Sequence, residues 1–124
     1  MKILVCGGRE FADKEFLYHF LDELLSDEEN MITHVIHGGA HGADRLAHSW
    51  AVSKGIQPVE CIAIWRARDI EYNARAGLER NLAMLALKPD IVIAFPGGRG
   101  TAHMCRIATA AGVPVTRAIP AGFK

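Results

Sequence analysis

Short apolar runs alternate with segments of helical periodicity along the chain. Runs rich in isoleucine and valine, bounded by glycine, proline or polar residues, predict strands. The predicted strands cover residues 3–6, 33–37, 59–64, 91–95 and 113–119. Because Pro114 has no backbone N–H to donate, the last of them is predicted to be an edge strand.

Between the strands, apolar residues recur at the three- and four-residue spacing of amphipathic helices. The first helix has one apolar face, made of Phe16, Leu17, Phe20, Leu21, Leu24 and Leu25. The second helix covers residues 43–53, and Gly55 is its predicted C-terminal cap.

The third helix is predicted to start at Asn73 as its N-cap and to end before Pro89. Its predicted apolar face consists of Leu78, Leu82 and Leu85. The fourth helix is predicted to be capped by Thr101 and ended by Gly112.

Strands that alternate with helices predict a parallel sheet with helices on both faces and right-handed crossovers. The predicted fold class is therefore α/β: a Rossmann-like, three-layer αβα domain with a five-stranded parallel sheet. In the predicted order 3-2-1-4-5 the chain reverses between strands 1 and 4, and ligands bind beyond the carboxyl ends there. No linker or repeat interrupts the series, so residues 1–124 are predicted to form a single domain.

Three of the five predicted strands end in a pair of glycines: Gly7-Gly8, Gly38-Gly39 and Gly97-Gly98. Glycine has no Cβ, so a loop built on it lets backbone amides approach a ligand closely. Strands 2, 1 and 4 are neighbours in the predicted order. The following loops, residues 7–10 with Arg9, 38–44 and 96–101, are therefore expected to line one crevice.

The loop before the fourth helix has the composition of a phosphate site. It reads Pro96-Gly97-Gly98-Arg99-Gly100-Thr101, and the free N–H groups at a helix N-terminus favour an anion. Arg99 and the Thr101 hydroxyl add donors, and no carboxylate is near in sequence. The alternative is that Thr101 is only a helix cap.

Asp44 gives the loop 38–44 a different character. It lies in the first turn of the second helix, where a phosphate ~4 Å away would be repelled by roughly 4 kcal/mol. Its carboxylate instead suits the hydroxyl groups of a ribose, from which it can accept hydrogen bonds. Alternatively, Asp44 is only a favourable charge at a helix N-terminus.

Composition and motifs exclude several classes of protein. Lys and Arg number 14 and so do Asp and Glu, so no net charge attracts nucleic acid or an anionic membrane. The chain has neither GxGxxG nor GxxxxGK[ST], which disfavours dinucleotide-dependent oxidoreductases and P-loop NTPases. Its apolar runs are too short for a membrane span and its N-terminus lacks a signal peptide, so a cytosolic protein is expected.

The spacing of the cysteines and histidines favours structural roles over metal binding. Cys6, Cys61 and Cys105 are widely spaced and are predicted to be buried thiols rather than disulfide or zinc partners. His37 is predicted to hydrogen-bond within the floor of the crevice rather than to share a metal with His41. Neither a metal nor a cofactor is assigned.

Aromatic and basic residues cluster between the third strand and the third helix: Trp65, Arg66, Arg68, Tyr72 and Arg75. One interpretation is a nucleotide base stacked on Trp65 with a phosphate at Arg80. The other is a core tryptophan beside a solvated arginine loop.

Several segments carry a family resemblance: GGREF at 7–11, HGGAHGADRLA at 37–47, Trp65, AGLERN at 76–81 and FPGGRGT at 95–101. Together they resemble the YspA (YpsA-related) branch of the SLOG superfamily. That superfamily includes phosphoribohydrolases of the "lonely guy" type, DNA-processing proteins related to DprA, and domains that sense nucleotide derivatives such as relatives of ADP-ribose. The resemblance implies a Rossmann-like fold and a nucleotide-type ligand over the loop 96–101, with Arg80 and Asn81 as further candidate contacts. A homodimer is an additional hypothesis that the resemblance suggests.

The chain departs from the phosphoribohydrolase motif at one position that matters for catalysis. That motif runs PGGxGTxxE, and its Glu acts in glycosidic cleavage, but Met104 stands here. A thioether can neither stabilise an oxocarbenium ion nor activate water. The remaining candidates for acid chemistry are Glu10, Asp44 and Glu79, with Arg80 resembling the arginine of these enzymes' other motif.

The sequence therefore predicts a protein that binds a ribonucleotide-like small molecule, a nucleotide or an ADP-ribose-type derivative, as a sensor, carrier or sequestering protein. The alternative is a hydrolase that cleaves the N-glycosidic bond of a nucleotide with one of these carboxylates. A DNA-processing accessory protein is the third hypothesis, and it needs a basic surface that the composition does not indicate.

Overall fold

The computed structural model describes residues 1–63 and 75–122 of the protein. Five strands and four helices alternate along this part of the chain: β1 (Lys2–Cys6), α1 (Lys14–Ser26), β2 (His34–His37), α2 (Ala43–Ser53), β3 (Gln57–Glu60), α3 (Ala76–Ala86), β4 (Ile91–Ala94), α4 (Arg99–Ala110) and β5 (Val115–Arg117). All described strand pairs are parallel, in the order β3-β2-β1-β4-β5. The predicted α/β class, Rossmann-like fold and strand order are confirmed.

The central strand β1 divides its side chains between two apolar cores, because successive residues of a strand point to opposite faces. Ile3 and Val5 pack with α1 and α2, whereas Leu4 and Cys6 pack with α3 and α4. The helices therefore cover both faces of the sheet. No described helix is both long and apolar enough to cross a membrane.

Phe95 anchors the chain where it leaves β4. Its ring lies 5.4 Å from that of Phe11 and meets Phe16 and Phe20 edge-on at 6.0 and 5.9 Å. Such contacts between aromatic rings add about 0.5–1.5 kcal/mol each beyond the area they bury. The loop that starts at Pro96 therefore begins from a rigid position.

The third strand differs from the prediction. It covers Gln57–Glu60 rather than residues 59–64, and residues 61–63 are not in a strand. Its pairing with β2 runs from His34 opposite Gln57 to His37 opposite Glu60, so β3 ends where its neighbour ends. The Cys61 amide still donates to the His37 carbonyl at 2.8 Å, but β2 ends at His37, so the apolar residues 62–63 lie beyond the end of the neighbouring strand.

The predicted apolar face of α3 is wrong at two of its three residues, and of the three only Leu85 packs against the core. Leu78 and Leu82 are 43% and 53% exposed, while Asn81 and Met84 are buried and face α4. A polar residue stands in the centre of the buried face, and this shifts the apolar periodicity away from the true contact surface. The helix ends at Ala86, before Pro89 as predicted, whereas the predicted cap Asn73 lies outside the described residues.

The helix ends agree with the prediction better than the starts. Gly55 and Gly112 both follow a helix with positive φ, as predicted for C-terminal caps. Thr101 is not the cap of α4, because the helix starts at Arg99 with Gly98 as its N-cap. The predicted edge position of β5 is confirmed, although the strand covers only Val115–Arg117.

The three cysteines are free thiols, as expected. Cys6 and Cys105 are buried in the same core, and Cys61 is only half-buried. The pKa of Cys6 is raised by a hydrogen bond with the neighbouring Cys105 thiol and by burial. Cys6 therefore stays protonated near neutral pH.

The observed face of α3 can be tested with two substitutions in the same helix. We expect Met84→Ala to lower the free energy of unfolding by roughly 2–5 kcal/mol, because it removes a buried side chain and leaves a cavity. Leu82→Ala, on the exposed face, should cost about 1 kcal/mol or less. Urea unfolding followed by circular dichroism measures both, and a larger loss in Leu82→Ala would contradict the observed packing.

Candidate functional site

Three loops meet at the carboxyl ends of β2, β1 and β4. The Gly8 amide donates to the Pro96 carbonyl at 2.8 Å, and the Gly8 carbonyl accepts from the Ala43 amide at 3.3 Å. These hydrogen bonds tie the first loop to both of its neighbours. The three loops thus form one continuous surface.

The loops and the start of α3 enclose a cavity of about 170 Å³, which we call the central cavity. Nine of the residues predicted from the sequence line it: Gly7, Gly8, Arg9, Asp44, Arg80, Asn81, Gly98, Gly100 and Thr101. Three lining residues were not predicted: Cys6, Ala40 and Met84. Cys6 and Ala40 directly flank the predicted glycine pairs, so their position in the sequence could have identified them. Met84 could not be identified in this way, because the predicted apolar face of α3 did not include it.

The glycines of these loops fall into two groups. A Cβ on Gly97 would lie 2.7 Å from the Gly8 nitrogen, and Gly42 has φ of +82° with its missing Cβ directed at the Gly8 and Arg9 carbonyls. Both positions require glycine for the fold. Around Gly98 and Gly100, by contrast, a Cβ would meet nothing within 4 Å. Packing against the described residues gives no reason for glycine there.

The N-terminus of α4 opens into the central cavity without a cap. Its N-cap is Gly98, which has no side chain that could accept from the first amides, and no acid lies in the first turn. The first N–H groups of a helix have no partner within the helix. The Thr101 side chain is only 8% exposed, and its hydroxyl makes no hydrogen bond within the described part of the chain. This end of the cavity therefore presents several unused donors and a positive helix end.

Asp44 is bound to its own loop. The side chain is 5% exposed, and Oδ2 accepts hydrogen bonds from the amides of Gly38 at 3.1 Å and Ala40 at 3.3 Å. Burial raises the pKa of this carboxyl to about 6, against the lowering effect of the two amides and of Arg80. Asp44 thus fixes the shape of the loop 38–44, a role that the sequence did not indicate.

Asn81 connects α3 to α4 and orients Arg80. Its Nδ2 lies 3.1 Å from the Gly100 carbonyl and 3.0 Å from Nδ1 of His103, and its Oδ1 accepts from Arg80 Nε at 3.2 Å. The Arg80 Nη1 donates to the Gly38 carbonyl at 3.0 Å. The guanidinium is therefore held at the wall of the cavity by two neighbouring elements.

His37 lies beneath the loop 38–44 and is fully buried. Its Nδ1 accepts from the Gly39 amide at 3.0 Å, so its proton is on Nε2, which donates to Nδ1 of His48 at 2.8 Å. Burial and the neighbouring His48 lower the pKa of His37 to about 4. His41 is exposed, and no group of metal-ligating side chains occurs among residues 1–63 and 75–122.

The other predicted site residues lie around the central cavity or away from it. The Gly38 carbonyl accepts from the Arg80 guanidinium, and a Cβ on Gly39 would lie 2.6 Å from a carboxylate oxygen of Glu60. Glu10 lines a separate cavity of about 370 Å³ with Pro96 and Gly97, whereas Glu79 is exposed on α3 and does not line the central cavity. Arg99 lines a further cavity described below. Trp65 lies outside the described residues.

Met104, which stands in place of the motif's catalytic glutamate, does not reach the central cavity. Its side chain is fully buried in the core formed with Leu4, Ile36 and Met84. Of the three candidate acids, only Asp44 lines the central cavity.

Comparison with known proteins agrees with this architecture. The YspA, cpYpsA-related SLOG family matches residues 1–67. The chain belongs to this family. It is also 35% identical over 118 residues to the Gene 61 protein of Mycobacterium phage D29, covering 92% of this chain and 93% of that protein. The resemblance drawn from the sequence motifs is confirmed. In this SLOG-family chain, the matched residues contain the first two glycine loops, and the loop 96–101 lies beyond them.

The raised pKa of Asp44 predicts a pH-dependent loss of stability. The folded-state pKa of about 6 exceeds the ordinary value of 3.8, so the stabilisation by this group is complete below the ordinary value and is lost as the pH rises toward 6. At about 1.4 kcal/mol for each pKa unit, the loss is roughly 3 kcal/mol. Asp44→Asn keeps an oxygen for both amides and does not ionise.

We therefore expect the free energy of unfolding of Asp44→Asn, relative to the unmodified protein, to rise between about pH 4 and about pH 7. Urea unfolding across this range measures the difference. Asp22→Asn serves as a control, because hydrogen bonds from Trp50 and Lys54 lower the pKa of Asp22 from its ordinary value of 3.8, so its relative stability should stay almost constant across this range and change only at lower pH. A relative stability of Asp44→Asn that does not change with pH would contradict a buried, ionising carboxyl.

Proposed function

We propose that this SLOG-family protein binds a nucleotide-type small molecule, with a phosphate at the N-terminus of α4 and the ribose toward the loop 38–44. The observation that carries the proposal is the uncapped N-terminus of α4 with the Thr101 hydroxyl beside it, which lines the central cavity and makes no hydrogen bond within the described part of the chain. The first N–H groups of a helix have no acceptor within the helix, so they are available to a ligand. A phosphate accepts hydrogen bonds from backbone amides and a hydroxyl alike.

The open positions at Gly98 and Gly100 support the same proposal. Neither glycine is needed to avoid a clash with the described protein atoms. A side chain at either position would project into the space that a phosphate requires. Arg80, fixed by Asn81 and by Gly38, adds a cation at the same cavity.

The central cavity suits a part of a nucleotide rather than the whole. Its volume of about 170 Å³ is below the roughly 300–1,000 Å³ of common ligand pockets. The phosphate and ribose would occupy it, with the ribose hydroxyls toward Asp44. The base would lie outside it. As a sensor, carrier or sequestering protein, the molecule needs no more than this binding.

A hydrolase that cleaves an N-glycosidic bond is the second candidate function. One observation favours it: Asp44 is a carboxyl with a raised pKa inside a cavity, which is a property of general acids. Against it, Oδ2 of Asp44 is already bound to two backbone amides, and Met104 is buried in the core. We therefore favour binding without hydrolysis. The homodimer and the cytosolic location stay predictions.

The binding proposal predicts ligand-dependent stabilisation. Adenosine monophosphate or ADP-ribose should raise the melting temperature, because a ligand at 100 times its Kd adds about 2.7 kcal/mol. Gly98→Asp should abolish the shift and leave the fold intact, since the position faces open space and the new charge repels phosphate. Ser49→Asp, an exposed position in α2, is the matched control for the added charge. If a broad nucleotide panel stabilises none of these proteins, the phosphate site is wrong.

The two candidate functions differ in what happens to a bound nucleoside monophosphate. We expect no release of free base after overnight incubation, because no carboxylate stands at position 104 and Asp44 holds its loop. Liquid chromatography of the mixture detects the base directly. Turnover that disappears in Asp44→Asn, while the melting temperature of that variant is retained, would establish the hydrolase and identify its acid.

A further inference from the structure

A second cavity, of about 730 Å³, lies between α3 and α4 beside the central cavity. Four arginines line it: Arg9, Arg80, Arg99 and Arg106. We call it the arginine cavity. It shares Arg9, Arg80 and Gly100 with the central cavity, so a ligand that fills one has direct access to the other.

One face of α4 supplies half of this charge. Arg99, His103 and Arg106 recur at the spacing of four and three residues that places side chains on one helical face. Arg99 is the first residue of the helix, and Arg106 lies two turns further, about 10 Å along the axis. The cations therefore extend from the candidate phosphate position into the arginine cavity.

Among residues 1–63 and 75–122, no acidic side chain neutralises the charge of the arginine cavity. No carboxylate of these residues lines it, and Arg9, Arg99 and Arg106 make no ion pair with any of them. The chain as a whole has equal numbers of acidic and basic residues. An overall basic composition thus does not explain the cluster, and mutual repulsion of the guanidinium groups disfavours it unless an anion is bound.

His103 contributes a neutral donor rather than a further charge. Its Nδ1 faces the amide nitrogen of Asn81 at 3.0 Å, so the ring accepts there and its proton is on Nε2. Burial and the positive charge of Arg106 lower the pKa of His103. The positive charge of the cavity therefore comes from arginines, which pair with phosphate through two parallel hydrogen bonds.

We propose that the arginine cavity binds the additional phosphate of a nucleotide that carries two or more phosphates, whose first phosphate lies at the N-terminus of α4. The inference rests on the proposed function and names its ligand class: a nucleoside di- or triphosphate or a nucleotide joined through a diphosphate, rather than a monophosphate. Arg106 is the residue that distinguishes them, because it lines the arginine cavity and not the central cavity.

Calorimetry with AMP, ADP and ATP, in EDTA to exclude magnesium, tests the inference with ligands that differ only in phosphate number. We expect ADP or ATP to bind about ten- to a hundredfold more tightly than AMP, the effect of an added charge-assisted hydrogen bond. Arg106→Gln should remove this preference and leave the Kd of AMP unchanged. Arg106→Lys should restore part of it, because a lysine retains the charge but not the paired geometry.

Arg45→Gln is the matched control, because Arg45 is exposed on α2 and lines neither cavity. It should leave all three affinities unchanged. Equal affinities for AMP, ADP and ATP would overturn the inference and leave the proposed function standing, whereas no binding of any nucleotide would overturn both. Tight, Arg106-dependent binding of a labelled single-stranded oligonucleotide, without a preference for ADP over AMP, would assign the cavity to nucleic acid instead.

Discussion

The hydrogen bonds of the Asn81 amide hold the candidate site together. Both polar atoms of this buried side chain form hydrogen bonds. The oxygen accepts from Arg80 Nε, and the nitrogen donates to the Gly100 carbonyl and to His103. Through Arg80 the connection continues to the Gly38 carbonyl. One side chain on α3 thereby positions the loop after β2 and the start of α4, two elements that have no covalent link near each other. Because a buried amide is costly when unpaired, this arrangement is specified as a unit.

The fold could be predicted from the sequence because its signals are local and repeated. Isoleucine and valine runs mark the strands, and the glycines after α2 and α4 end the helices at the predicted residues. The errors arise where a long-range contact decides the outcome. The end of β3 is set by its partner β2, and the buried face of α3 is set by Asn81, a polar residue that no apolar periodicity includes.

The loops of the candidate site could also be predicted from local sequence signals, whereas the long-range contacts within the site could not. Glycine pairs identify the loops, and the strand order brings them together at one cavity. The pairing of Asp44 with the amides of its own loop could not be predicted, because it depends on where the chain folds back. The arginine cavity could not be predicted from the net charge of the chain. Equal numbers of acidic and basic residues conceal a local excess that appears only when α3 and α4 are packed.

The burial of Met104 has a consequence for how activities diverge within this superfamily. In sequence, one substitution separates this chain from the full glutamate-containing motif. In three dimensions, that position belongs to an apolar core with Leu4, Ile36 and Met84. A glutamate introduced there would lose its hydration at a cost of several kcal/mol and would have no partner in that core. A hydrolytic carboxylate at this site would therefore require changes in the apolar side chains that surround it, and the evolutionary history of such a change would be recorded in those residues as well as in the motif.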